Sequence, residues 1–289
     1  MIKKVLFPVI FTEHTEQIVN CLGGLAKNGV EEVLLFHVTS ISDVANGKVN
    51  QEFDEQILIK WKELLEITGI KVSYKITTGV PWVEIIDLSE RGQFSFILIG
   101  SHGNYFLDRV LLGSVTENVV HHSRIPVFVF KIFEEDKENP IKAPFCIDVF
   151  RRILYATDFS EVSQECIPYI ENMKNESNQE LDIIHIQDLR NLKYIPEDKM
   201  EDFNQTDLIR LNELKERFIK KGFKKVNTIL KTGYSITEIM NHSKNFKSTI
   251  LVFGKKGKSD LKEMLMGGVA QTLIYKSEIP VFVVEGNSK

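Results

Sequence analysis

GSHGNYFLDRVLLGS, Gly100 to Ser114, and GKKGKSDLKEMLMGG, Gly254 to Gly268, are two versions of one stretch, and their reading decides the fold. Each comes after an apolar run and places glycines alike: Gly100, Gly103 and Gly113 in the first, Gly254, Gly257 and Gly267 in the second, at an offset of 154 residues. The same shift relates Gly79 to Gly233 and Ile125-Pro126-Val127 to Ile279-Pro280-Val281. Nearer the start, Val5-Leu6-Phe7-Pro8 matches Ile153-Leu154-Tyr155-Ala156, and LLFHV ending at Val38 matches DIIHI ending at Ile186, at an offset of 148. One shift, changed by a single six-residue length difference, identifies a duplication.

The copies are expected at residues 1–132 and 151–289. The segment between them, FEEDKENPIKAPFCIDVF at 133–150, is charged, contains Pro140 and Pro144, and reads as a linker. In the first copy, strands are predicted at Lys4–Val9, Val33–Val38, Lys71–Ile76, Phe96–Gly100 and Pro126–Phe130 from their β-branched and aromatic content. Between them, Phe53, Ile57, Trp61 and Leu64 recur at helical spacing, as do Leu208, Leu211, Leu214 and Phe218 in the second copy. Strands that are apolar almost throughout and alternate with helices imply a parallel sheet covered on both faces. The expectation is two tandem five-stranded α/β domains. Their last strands, IPVFVF and IPVFVV, carry no internal lysine to discourage edge pairing, so the two copies are expected to pack through them as an internal pseudo-dimer, with pairing between chains as the alternative.

Composition removes several functions. With 36 basic and 40 acidic side chains there is no general electrostatic drive toward nucleic acid or an anionic membrane. No run approaches the roughly 18 apolar residues of a membrane span. MIKKVLFPVIF is broken by Pro8 and reads as a first strand rather than a targeting segment, which makes the cytoplasm the default location. Cys21, Cys146 and Cys166 are odd in number and lack CxxC spacing, so neither a disulfide framework nor a zinc site is expected, and all three read as free thiols. GKKGKS has two residues between its glycines where a Walker loop needs four, and no GxGxxG comes after a first strand. His121 and His122 are adjacent and make a poor metal pair, while His37 and His185, recurring at the second-strand ends, suit packing or backbone bonding.

In an open parallel sheet the ligand crevice lies beyond the carboxyl ends of the strands. The two glycine stretches fall there. Glycine lets backbone approach an oxyanion and adopt positive φ, and the amino terminus of a succeeding helix offers N–H groups, a combination suited to phosphate. The competing reading is that the first glycine ends a strand and the third permits close packing. The spacing glycine, two residues, glycine, nine residues, then glycine with serine or threonine resembles the nucleotide-binding pattern of the universal stress protein family, whose fold is Rossmann-like. Gly100, Gly103, Gly113 and Ser114 match it completely; the second copy has Gly268 where the hydroxyl belongs.

The resemblance implies ATP or AMP as ligand, with magnesium as a possible companion. It also implies an aspartate after the first strand on the nucleoside and second-strand backbone on the adenine. Thr157 and Asp158 with Ile186 hold these places in the second copy; in the first they fall to Ile10 and Val38. Isoleucine cannot accept from a ribose hydroxyl, whereas Gly268 still offers a backbone N–H, so the second copy is the favoured binder. Lys255, Lys256 and Lys258 add charge beside that loop, or form a solvated basic turn. Asp158 could also cap the next helix, as could Ser160. His102 reads as an exposed loop residue. No nucleophile, base and acid are recognisably arranged, so no enzyme class is assigned. A nucleotide-responsive stress regulator leads, and a ligand-free scaffold and a slow ATPase are the rivals.

Overall fold

A computed structural model describes residues 2–101, 112–131, 148–173, 179–194, 196–257 and 266–286. The chain divides into two compact units, Met1–Val149 and Phe150–Lys289. The first runs, in order, β1 (Lys4–Val9), α1 (Glu13–Ala26), β2 (Glu32–Ser40), α2 (Ile41–Ala45), α3 (Gln51–Glu66), β3 (Lys71–Gly79), α4 (Pro81–Arg91), β4 (Phe96–Gly100), α5 (Ser114–His122) and β5 (Val127–Phe130). The second runs β6 (Arg152–Ala156), α6 (Glu161–Gln164), α7 (Cys166–Asn172), β7 (Glu180–Asp188), α8 (Leu189–Leu192), α9 (Met200–Lys220), β8 (Lys225–Gly233), α10 (Ser235–Phe246), β9 (Ile250–Gly254), α11 (Gly268–Lys276) and β10 (Val281–Val284).

Within the first unit the strand order is β3-β2-β1-β4-β5, with parallel pairs throughout. The second unit repeats it as β8-β7-β6-β9-β10. The central strands are apolar on both sides because helices cover both faces: Val5, Leu6, Ile97 and Leu98 are buried, as are Ile153, Leu154, Leu251 and Val252. The order reverses between β1 and β4, and between β6 and β9. At those points successive crossovers leave toward opposite faces and open a crevice at the carboxyl ends.

Strands β2 and β3 run longer than their apolar content predicts, ending at Ser40 and Gly79 rather than Val38 and Ile76. The polar ends are held by a continuous β2–β3 ladder reaching Ser40 and Gly79. The helix faces need a larger correction. On α3 the buried residues are Leu58, Trp61 and Leu65, while Phe53 is 55% exposed and Leu64 lies outside. On α9 they are Asp207, Leu211 and Phe218, and Leu208 is 46% exposed. Trp61, Leu211 and Phe218 are buried as expected, but Leu58 and Leu65 replace the other positions expected in α3, and in α9 Asp207 points inward where Leu208 was expected. Gly69 and Gly222, at φ +88° and +92°, make the left-handed turns that release α3 and α9 into β3 and β8.

Cys166 is a buried free thiol, as expected, but Cys21 is disulfide-bonded, against the expectation of a free thiol; its partner is not among the described residues. Among the described residues no helix is long and apolar enough to cross a membrane.

Candidate functional site

The crevice of the second unit is built by the segments that leave β6 and β9. Thr157 comes just after β6: its N–H donates to Ile184 O at 3.0 Å, and its Oγ1 accepts from Phe159 N at 3.0 Å and meets Ser163 Oγ at 3.0 Å. Asp158 Oδ1 accepts from Ser160 N at 3.0 Å, bending the chain so that Phe159 takes φ +59°. Ser160, rather than Asp158, caps α6, accepting from Ser163 N at 3.2 Å. Asp158 therefore shapes the turn with one oxygen while its half-buried carboxylate stands at the switch point. The first unit keeps the cap, with Thr12 accepting from Thr15 N, but presents Ile10, 38% exposed, where the carboxylate stands in the second.

Strand β7 overhangs β6. The β6–β7 ladder closes with Ala156 beside Ile184 and the bond from Thr157 N, while β7 continues to Asp188 against β8. Because strand groups alternate sides with a period of two, Ile186 directs its N–H and C=O to the same side as Ile184, past the end of β6. That is backbone available to a planar ring in the crevice. Val38 holds the equivalent place in β2, and both side chains are buried.

Past β9, Lys255 N donates to Val284 O at 2.8 Å and Gly267 N donates to Lys255 O at 3.0 Å, lacing the loop between β10 and α11. The first unit repeats both bonds, Ser101 N to Phe130 O and Gly113 N to Ser101 O, each 2.9 Å. Gly113 and Gly267 precede α5 and α11 with φ near −60°, so positive φ is not what these positions demand. Gly254 is required by packing instead: a Cβ there would lie 3.0 to 3.1 Å from Val162 and the Ser163 backbone. At Gly268, the first residue of α11, a Cβ would meet nothing within 4 Å among the described residues. Gly100 carries the acceptor for Thr116 Oγ1 at 2.7 Å, and Ser114 opens α5. Gly257 is the last described residue of its loop; Gly103, His102 and Lys258 lie outside the described residues.

The family model described as the universal stress protein family matches residues 1–131 and 150–285. The chain belongs to the universal stress protein family. Universal stress protein MJ0577 of Methanocaldococcus jannaschii is 32% identical over 155 residues, covering 45% of this chain and 96% of that protein. Universal stress protein YxiE of Bacillus subtilis is 29% identical over 148 residues, 47% of this chain and 99% of that one. The crystal structure of a universal stress protein from Archaeoglobus fulgidus matches over 98% of both chains at TM-score 0.76 and 27% identity. MJ0577 and YxiE are thus matched over nearly their whole length by about half of this chain.

In this universal stress protein Lys255 and Lys256 are neither a bare positive patch nor a solvated basic turn. Glu285, just after β10, places Oε2 2.5 Å from Lys255 Nζ and Oε1 3.1 Å from Lys256 Nζ. Burial holds the Lys255 pKa below its ordinary value, and the Glu285 carboxylate offsets that only in part. The first unit inverts the arrangement, with Ser101 in the loop and Lys131 after β5.

A further polar layer lies behind Thr157. His185 Nδ1 faces Thr157 O at 2.7 Å, and His37 Nδ1 faces Val9 O at 3.1 Å, the backbone role expected of both. His185 Nε2 then lies 3.4 Å from the buried Asp207, which also accepts from Gln187 Nε2 at 3.1 Å. Phe159 packs on His185 and lies under the Arg210 guanidinium. Asp207 was legible only as an interruption of the α9 apolar period. Glu285 carried no motif at all. A groove of about 590 Å³ along α9, lined by Ile209, Glu213, Arg217 and Lys220, shares none of these residues.

Proposed function

We propose that the second unit binds an adenine nucleotide, ATP or AMP, and that the chain acts as a cytoplasmic stress-response regulator whose ligand state biases its protein contacts. The observation that carries the reading is the placement of Asp158 and the Gly254–Gly257 loop on the two sides of one topological switch point, with α11 opening beside them. Asp158 would accept from the ribose hydroxyls, Ile186 backbone would meet the base, and the N–H of Gly268 at the start of α11 would meet phosphate, the Gly267 N–H being held by Lys255 O. Among the described residues no cluster of three His, Cys, Asp or Glu could hold a metal, so magnesium would arrive with ATP and be held chiefly by its phosphates.

A scaffold function for the first unit is favoured by a separate observation, the replacement of the carboxylate by Ile10. Mass spectrometry of small molecules released from the denatured purified chain, then calorimetric titration, tests the proposal. Asp158→Ala should abolish measurable binding and Gly103→Val should spare it. Loss in the Gly103 variant alone would move the site to the first unit.

A further inference from the structure

We infer that Glu285 sets the discrimination of this site among adenine nucleotides, occupying Lys255 and Lys256 so that the loop favours a nucleoside monophosphate over the triphosphate. The inference rests on the reading that the second unit binds an adenine nucleotide. Lys255 cannot swing away with its loop, because its N–H is bonded to Val284 O and its C=O to Gly267 N. Its ammonium is turned inward to one oxygen of Glu285, and Lys256 takes the other. The three side chains are only 6%, 14% and 10% exposed. Water screens such a cluster weakly, and separating its members leaves a buried charge uncompensated.

A phosphate oxygen reaching these lysines therefore meets a carboxylate already seated on them. It must share the cations with Glu285 and bear the repulsion, which grows with each further negative charge on the phosphate chain. The nucleoside end, near Asp158 and Ile186, contributes equally for every member of the series. The carboxylate belongs to this copy alone: the first unit carries Lys131 at the corresponding position and Ser101 in the loop. The duplicated phosphate ends have thus been given opposite charge logic on the same backbone geometry.

The test is calorimetric titration of the full chain with adenosine, AMP and ATP, the last with and without magnesium. Glu285→Gln should tighten magnesium-free ATP by about ten-fold, AMP by less, and leave adenosine unchanged. Magnesium should narrow the gain by neutralising phosphate charge. Should Glu285→Gln melt early, Lys255→Met/Glu285→Gln removes the buried pair together, keeps the parent net charge and releases Lys256 from its carboxylate, and should move the ATP to AMP ratio in the same direction by less, because one cation leaves with the carboxylate. An unchanged ratio in a folded variant that still binds overturns the inference and leaves the site standing. Weaker ATP binding in the variants also overturns it, since the carboxylate would then assist the triphosphate. A parent chain that binds none of the three overturns both readings.

Discussion

Asp158 does two jobs with one side chain, and a test must separate them. Its Oδ1 holds Ser160 N, so truncation loosens the turn as well as any ligand. Asn keeps that acceptor and drops the charge. Since a hydrogen bond to a charged group exceeds a neutral one by about 1 kcal/mol or more, Asp158→Asn should keep the parent melting temperature and weaken nucleotide about ten-fold. Equal affinity in calorimetry would remove the carboxylate from the site. In the first unit the informative residue is Lys131, buried after β5, whose pKa desolvation pulls down to about 8. Its unfolded value is about 10.4, so between these values the unfolded chain binds more protons and stability rises with pH. Thermal melts should show the first unit gaining stability from pH 8 to pH 10. Lys131→Met should stabilise it at pH 7 by about 1–3 kcal/mol and erase that slope; a slope that persists in the variant rules Lys131 out as its source.

At the level of elements, the junction after β7 is tied by Asp188. It caps α8 through Arg190 N, receives Nε and Nη2 of Arg190 at 2.7 Å each, and accepts from Ser235 N and Oγ at the start of α10. The Arg190 guanidinium, then Ser235, hold its pKa far below the ordinary carboxylate range. A depressed acid contributes stability above its unfolded value and loses it as pH falls below about 4. Asp188→Ala should therefore destabilise the second unit by about 1–3 kcal/mol at pH 7 and by less at pH 3. Urea melts at the two pH values check this, and an equal deficit at both would show that charge is not involved. The two glycines of the β9 loop divide similarly. Gly254→Val forces Cβ onto the α6 backbone and should destabilise the fold, whereas Gly257→Val should leave the melt unchanged and block phosphate. Unchanged affinity in a folded Gly257→Val chain would remove the phosphate-loop role.

For the whole molecule, duplication with divergence predicts one nucleotide per chain rather than two. Calorimetric stoichiometry near two, or retention of one ligand by Asp158→Ala, would show that Ile10 does not disable the first unit. The duplication, both parallel sheets and the switch-point position of Asp158 and of Gly254 to Gly257 were legible in the sequence, because they depend on local period and spacing: apolar strands, helical stripes, glycines after strands. Tertiary structure alone decided the rest. Whether Phe53 or Leu58 faces inward on α3 depends on how the helix rolls against the sheet, and adjacent apolar residues blur that angle in sequence. Asp207 is buried because His185 and Gln187, some twenty residues away, supply its partners. Lys255 and Glu285 are thirty residues apart and meet because β9 and β10 are parallel neighbours, so strand ends distant in sequence finish side by side. Sequence determines which charges a chain carries. Pairing across a sheet decides which of them meet an opposite charge.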